Sequence, residues 1–411
     1  MAPAADPQQG PGLRRSVGPV LLTLYGLGNI VGAGIYVLLG EVAGAAGAAA
    51  PLAFVLALAV AALSALSYSE LAARYPAAAG EAAYLQRAFG RRGLSLAAGL
   101  VIAAAGLVSS AALARGFAGY LGALVAVPDW LAIGGVVAGL GALCAWGIQQ
   151  SMRAAAAMTV IEVAGLVLVI AGLGEGFAAL PERAGELLPG AAPGAWVGLW
   201  VGGFLAFYAF IGFEDMVKVA EEVRRPQRDL PVAILAALAG AAALYLVLAV
   251  GVVLALDPAT LAGSEAPLAA IYERTTGRGA TLITVIGLVA AVNGVLAQIV
   301  MASRMVYGLA AEGWLPATLA RVHPRTRTPL PATAAVTALV LALALAFPVA
   351  GLAGATSALI LAVFAAVNLA LWRLRRRGDR PGPGIAPAWV PPAALAATLL
   401  LAAGGLVSLL R

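Results

Sequence analysis

The sequence predicts an all-α integral membrane protein of about 11 transmembrane helices, ten of them forming two inverted five-helix repeats with broken first members. Three observations predict it. Of 411 residues, 62% are hydrophobic and only 11% are charged, where a water-soluble domain carries about 25% charged residues. Apolar runs of about 20 residues, enough to cross a bilayer core, recur along the whole chain. Two of these runs, the first and the sixth, carry glycines and polar residues near their centres.

The start, MAPAADPQQGPGLRR, is polar and rich in proline and glycine, and reads as a disordered cytoplasmic tail over 1–15. The apolar run after it is longer than a signal-peptide core and leads into no soluble domain, so it reads as the first span. Candidate spans lie at 16–40, 50–73, 94–126, 130–149, 154–173, 195–220, 231–255, 280–308, 331–348, 351–372 and 389–410. The first ten make a core over 16–372, with repeats at about 16–173 and 195–372; a basic cytoplasmic loop and an accessory eleventh helix fill 373–411. Basic residues test this map, because cytoplasmic loops collect them. With the N-terminus cytoplasmic, 20 lysines and arginines fall inside and 4 outside, and Arg115 lies within a span. A wrong span count would scramble that alternation.

Composition also excludes. The single cysteine, Cys144, permits no intrachain disulfide, and with one histidine, His323, no His/Cys metal site can form. No cofactor is expected. The formal charge of +6 is spread over short loops, which suits anionic lipid headgroups and not nucleic acid. The alanine and arginine bias fits a GC-rich bacterial genome.

The two polar spans carry the functional reading. Span 1 contains GNIVGAGIYV at 28–37, and span 6 reads LWVGGFLAFYAFIGFEDMVKVAEE from Leu199 to Glu222. Each glycine inside a helix costs about 1 kcal/mol against alanine, so Gly28, Gly32 and Gly34 need a reason. Gly212 is followed by Glu214, Asp215 and Lys218, charges foreign to a lipid-facing helix. Interrupted spans at matching positions of two halves point to a secondary transporter. An unwound turn frees backbone N–H and C=O groups that cost several kcal/mol if left dry. A half-helix N-terminus favours a carboxylate, and freed carbonyls favour an ammonium. One dipolar ligand, an α-amino acid, uses both. Close packing is the simpler account of the same glycines, and Gly28-xxx-Gly32 fits it.

Four stretches then resemble motifs of the amino acid–polyamine–organocation (APC) transporter superfamily. They are LGNIVGAGIYVLLGEVAG at 27–44, YSELAARYPAAAGEAAYL at 68–85, FYAFIGFEDMVKVAEEVRRPQRDLP at 207–231, and ASRMVYGLAAEGWLP at 302–316 with HPRTRTPLPA after it. The resemblance implies a bacterial amino acid permease with the five-plus-five inverted-repeat transporter fold. It implies that the substrate carboxylate meets the backbone of Val31, Gly32, Ala33, Gly34 and Ile35. The ammonium would meet carbonyls near Tyr208, Ala209 and Ile211, with Phe207 or Phe210 closing over the substrate. Ordinary helix packing is the plain alternative for those two rings. Many members have twelve helices; this sequence reads as eleven, as a monomer or homodimer. Val108, Ser109 and Ser110 of span 3 are selectivity candidates.

Sodium-coupled members of this architecture hold an ion between spans 1 and 8 with hydroxyls from span 8. Residues 285–302, VIGLVAAVNGVLAQIVMA, have no serine or threonine, so that design is not expected. Some proton-coupled relatives place a lysine of span 5 there; aligning GIQQSMRAAAAMTVIEV puts Glu162 at that position instead. Desolvation favours a neutral acid, which suits a proton carrier. A structural, paired Glu162 is the alternative, but an ionisable residue at mid-helix costs about 2.5–3.5 kcal/mol on insertion. Lys218 pairs with Glu214 one turn earlier, or with Glu162 across the bundle. Glu221 and Glu222 at the cytoplasmic end of span 6 are gating candidates or a solvated helix end, and Glu70 of span 2 joins the same network.

These readings converge on a multi-pass permease of the bacterial cytoplasmic (inner) membrane. It would carry amino acids by alternating access as a proton symporter, or second as an exchanger. A polyamine or amine carrier would want several acids at the centre, where Glu162 and Glu214 are the evident candidates. A lipid-modifying enzyme would need a catalytic cluster at one face, and the sequence shows none. A channel would conduct without a saturable substrate.

Overall fold

The computed structural model describes residues 13–261, 267–346, 352–379 and 384–409. The expected tail lies outside the described residues as far as residue 12. Among the described residues are eleven helices of 17 residues or more and no strand. They are α1 Pro19–Ala46, α2 Ala50–Arg74, α3 Arg92–Leu124, α4 Asp129–Trp146, α5 Ile148–Gly172 and α6 Pro193–Ala209. There follow α7 Pro226–Ala255, α8 Thr281–Ala311, α9 Leu330–Ala346, α10 Leu352–Arg376 and α11 Val390–Leu409. Each coincides with one predicted span. Eight helical stretches are long and apolar enough to cross a membrane, and Leu330–Ala346 and Val390–Gly404 are shorter apolar helices.

Proline sits in the first turn of α1, α2, α6 and α7, where its missing N–H is no loss and its fixed φ suits a helix. Val20, Val55, Val160 and Leu399 face outward from the bundle, as a lipid-facing surface requires. Trp130, Trp146, Trp196 and Trp389 stand exposed at helix ends, the level of an aromatic belt. The hub is α1, which packs against α5, α6, α7 and α8; α3 lies along α8, and α11 lies against α2, α6 and α10.

Both spans are interrupted. Gly32 leaves helical geometry inside α1, at φ −29° and ψ −150°. The α6 helix stops at Ala209, Gly212 turns with φ +129°, and a 3-10 helix continues over Phe213–Glu222. Span 6 is therefore two pieces, and its charged half is wound as 3-10. The glycines of span 1 have different reasons. A Cβ on Gly28 would clash with Thr159 Oγ1 and Asn293 Nδ2, so this glycine lets α1 close on α5 and α8. A Cβ on Gly32 would meet nothing within 4 Å. Packing accounts for Gly28 and the interruption for Gly32.

Candidate functional site

The two interruptions face one cavity of about 100 Å³. Gly32 and Gly34 of α1 line it, with Tyr208 from the last turn of α6 and Ile211 and Gly212 from the turn after it. Ser109 of α3, Gln298 of α8 and Phe364 of α10 also line it. Val31, Ile35, Phe207, Ala209 and Phe210 are buried behind that lining. The side chain of Ala33 is outside the described residues. Phe210 stacks 6.3 Å from Phe54 and 5.2 Å from Tyr245, and Phe207 lies 5.7 Å from Phe364 between ring centres. Neither phenylalanine lines the cavity; Phe364, against which Phe207 packs, does.

Polar side chains answer part of the freed backbone. The Tyr245 hydroxyl of α7 donates toward the carbonyls of Ile30 (2.8 Å) and Ala209 (3.1 Å), joining the two interruptions. Asn29 Nδ2 donates to the Gly212 carbonyl (3.1 Å) and to Asp215 Oδ2 (2.7 Å). Gln298 Nε2 also donates to Asp215 Oδ2, at 3.1 Å. The Gly212 N–H donates to the Glu214 carboxylate at 2.8 Å, which places an acid at the start of the 3-10 segment, where it is favoured. Gly212 itself admits no side chain: a Cβ would lie 2.7 Å from the Asn29 carbonyl oxygen, at a φ few L-residues adopt. Gly212→Ala is expected to destabilise by about 1–3 kcal/mol, read as a lower unfolding temperature of the purified protein in detergent.

Three carboxylates line the cavity: Glu81, Glu214 and Asp215. Glu81 belongs to a short helix, Gly80–Phe89, between α2 and α3. Lys218 is fully buried. It donates to Glu81 Oε1 (2.7 Å), to the Glu214 carbonyl (2.9 Å) and toward Asp215 Oδ1 (3.4 Å). Its partners are neither the Glu214 carboxylate nor Glu162.

Glu162 is buried on α5, outside the cavity lining. Its Oε1 accepts from Asn293 Nδ2 at 2.8 Å, and its carbonyl accepts from the Tyr36 hydroxyl at 3.0 Å. Glu162 Oε2 and Asn293 Oδ1 are buried without a partner.

At the end of the 3-10 segment, Glu222 and Arg304 form a fully buried ion pair at 3.3 Å. Glu221 accepts from the Ala78 N–H at 2.8 Å and from the Tyr307 hydroxyl at 3.5 Å. The N–H groups of Ser16 (2.9 Å) and Val17 (3.0 Å) donate to the Glu222 carbonyl, and the Arg224 N–H returns to the Val17 carbonyl at 3.0 Å. Glu222 is buried and tied, while Glu221 is bonded but only half-buried and Arg224 is exposed. Glu70 belongs to another cluster: it accepts from Arg74 and Arg375, and from the N–H groups of Ile385 (3.1 Å) and Ala386 (2.9 Å). It fastens α2 to the loop between α10 and α11. Beside it the Tyr75 hydroxyl donates to Asp379 Oδ2 at 2.7 Å; burial first, then that bond, push its pKa up to about 12.

Sequence reasoning missed Glu81, Asn29, Gln298 and Tyr245. The available signal was polar residues inside apolar spans, Asn29 and Gln298 above all.

Comparison with known proteins follows from this geometry. The family model described as amino acid permease matches residues 18–409. An uncharacterized transporter of Mycobacterium tuberculosis is 35% identical, over 92% of this chain and 84% of its own length. Cationic amino acid transporter 4, vacuolar, of Arabidopsis thaliana is 31% identical over 88% of this chain, which spans 64% of that protein's length. Human cationic amino acid transporter 4 is 30% identical, over 95% of this chain and 65% of its own length. The crystal structure of MhsT in complex with L-phenylalanine matches with a TM-score of 0.65 at 15% identity, covering 96% of this chain and all of that one. That likeness shows the fold alone, and the fold is the transporter fold predicted from the interrupted spans.

Proposed function

Because this chain belongs to the amino acid permease family, we propose that it carries amino acids across the cytoplasmic membrane by alternating access. The observation that carries this reading is the meeting of two interrupted helices at one cavity. In this reading the substrate carboxylate meets the backbone at Gly32 and Gly34, and the ammonium meets carbonyls of the 208–211 turn. The ten-helix core over 16–372 is the transport unit, and α11 is an accessory. Three carboxylates against one buried ammonium around the cavity favour a cationic amino acid, as do relatives named cationic amino acid transporters. An amine with no carboxylate would leave the amides of the first interruption unanswered.

Proton symport is the form we favour, with Glu162 as the carrier. It has one unpartnered oxygen and no cationic partner among the described residues. A proton can therefore come and go without breaking an ion pair. Glu162→Gln is expected to flatten the pH profile of initial uptake rates, which in the parent protein falls as external pH rises. An unchanged profile would make Glu162 structural.

The reading is tested by uptake of radiolabelled arginine, lysine and neutral amino acids into proteoliposomes, with and without an inward proton gradient. Concentrative, gradient-driven uptake is expected. Uptake only into preloaded vesicles would make the protein an exchanger. Uptake of polyamines alone would make it an amine carrier.

A further inference from the structure

Glu81 faces two ways. It lines the cavity, yet it is fully buried and its Oε2 has no hydrogen-bond partner. Its Oε1 takes the Lys218 ammonium at 2.7 Å and the Tyr68 hydroxyl at 3.3 Å. Lys218 does not line the cavity; it reaches Glu81 from the 3-10 half of span 6. A buried carboxylate oxygen left unmatched is costly, and a cation entering the cavity is the partner that would match it.

The position of Glu81 in the chain gives this pair a mechanical role. Glu81 opens the short helix Gly80–Phe89, directly after the strap 76–79. Glu221 holds that strap through the Ala78 N–H. Gly80, at φ +46°, lies flat against the 3-10 segment: a Cβ there would come 3.1 Å from Val217 Cγ2. The strap is therefore pinned to span 6, and the ion pair is the charged pin.

We propose that Glu81 binds the cationic side chain of the substrate through its open Oε2, that this loosens its pair with Lys218, and that the loosening releases the strap and opens the inner path. The proposal rests on the amino acid permease reading and names the residue that selects within it. A guanidinium has five N–H donors in a fixed fork, enough to serve both Glu81 and Glu214. A neutral amino acid brings no cation, so the Glu81–Lys218 pair stays closed beneath it. Selection then happens at opening as well as at binding.

The test reads the strap without needing transport. Ala78→Cys is introduced in a Cys144→Ala background, and a membrane-impermeant maleimide is applied to the cytoplasmic face of reconstituted vesicles. Arginine is expected to raise the labelling rate several-fold, and leucine to leave it unchanged. Removing one charge alone can unfold the protein, because it strands the other. The paired variant Glu81→Gln with Lys218→Met removes both. It is expected to label fast without substrate and to bind arginine no better than leucine, with a parental size-exclusion profile as the control for folding. Equal labelling with arginine and leucine would overturn the proposal. So would a paired variant that stays slow and keeps its preference for arginine, which would make the pair a brace. Arginine-dependent labelling without uptake would count against the transport reading and not against this one.

Discussion

Gly32→Val is expected to abolish substrate binding while the protein still inserts and folds. The usual objection to a larger residue at a helix glycine is collision, and here there is none: an added Cβ meets nothing within 4 Å. The side chain points into open space at the interruption of α1, beside the cavity that Gly32 lines. An isopropyl group there would cover the freed amides and take up the room a substrate carboxylate needs. A loss of at least about 100-fold in affinity is expected, about 2.8 kcal/mol at 1.4 kcal/mol per tenfold. Binding of radiolabelled arginine to purified protein measures it, with the size-exclusion profile as the control for folding. Unchanged affinity would move the substrate away from this interruption.

Arg304→Met is expected to be the most destabilising single change outside the cavity. Arg304 and Glu222 are both fully buried and pair at 3.3 Å between α8 and the end of the 3-10 segment. Removing the guanidinium strands the Glu222 carboxylate, and breaking such a pair costs about 3–5 kcal/mol. Glu222→Gln strands the arginine in the same way. The double variant strands neither, so most of the loss should return. Thermal unfolding of the four proteins in detergent closes the cycle. Additive losses would show that the pair contributes nothing as a pair.

The helical map was legible because a run of apolar residues of spanning length is a local signal. The interruptions were legible for the same reason: glycine and charge inside such a run stand out wherever the chain goes next. Pairing across the bundle was not legible. Arg304 falls near the end of candidate span 280–308 with nothing in the sequence to name its partner; it is buried on α8, and that partner, Glu222, is 82 residues away. Glu81 sits in a short polar helix between spans, and only the fold carries it to Lys218, 137 residues further on. The expected Lys218–Glu214 pair assumed α-helical spacing. The segment is 3-10, where residues three apart come into register, and Asp215 is the acid side chain of that segment that reaches Lys218, at 3.4 Å. Phe207 and Phe210 flank the turn as read, but which way their rings point depends on the path of the turn, and that path sends both into the cluster around Phe54, Tyr245 and Phe364.

Besides the Arg224 Nε on the Ser16 carbonyl, backbone amides join the stretch before α1 to the end of span 6: those of Ser16, Val17 and Arg224. Bonds of this kind survive any side-chain substitution except proline. In the alternating-access reading proposed above they part whenever this end opens, and a parted amide trades its hydrogen for deuterium. On that reading, deuterium uptake at those three positions is a clock for time spent open at this end. It runs in every variant described above, without a label and without a substrate.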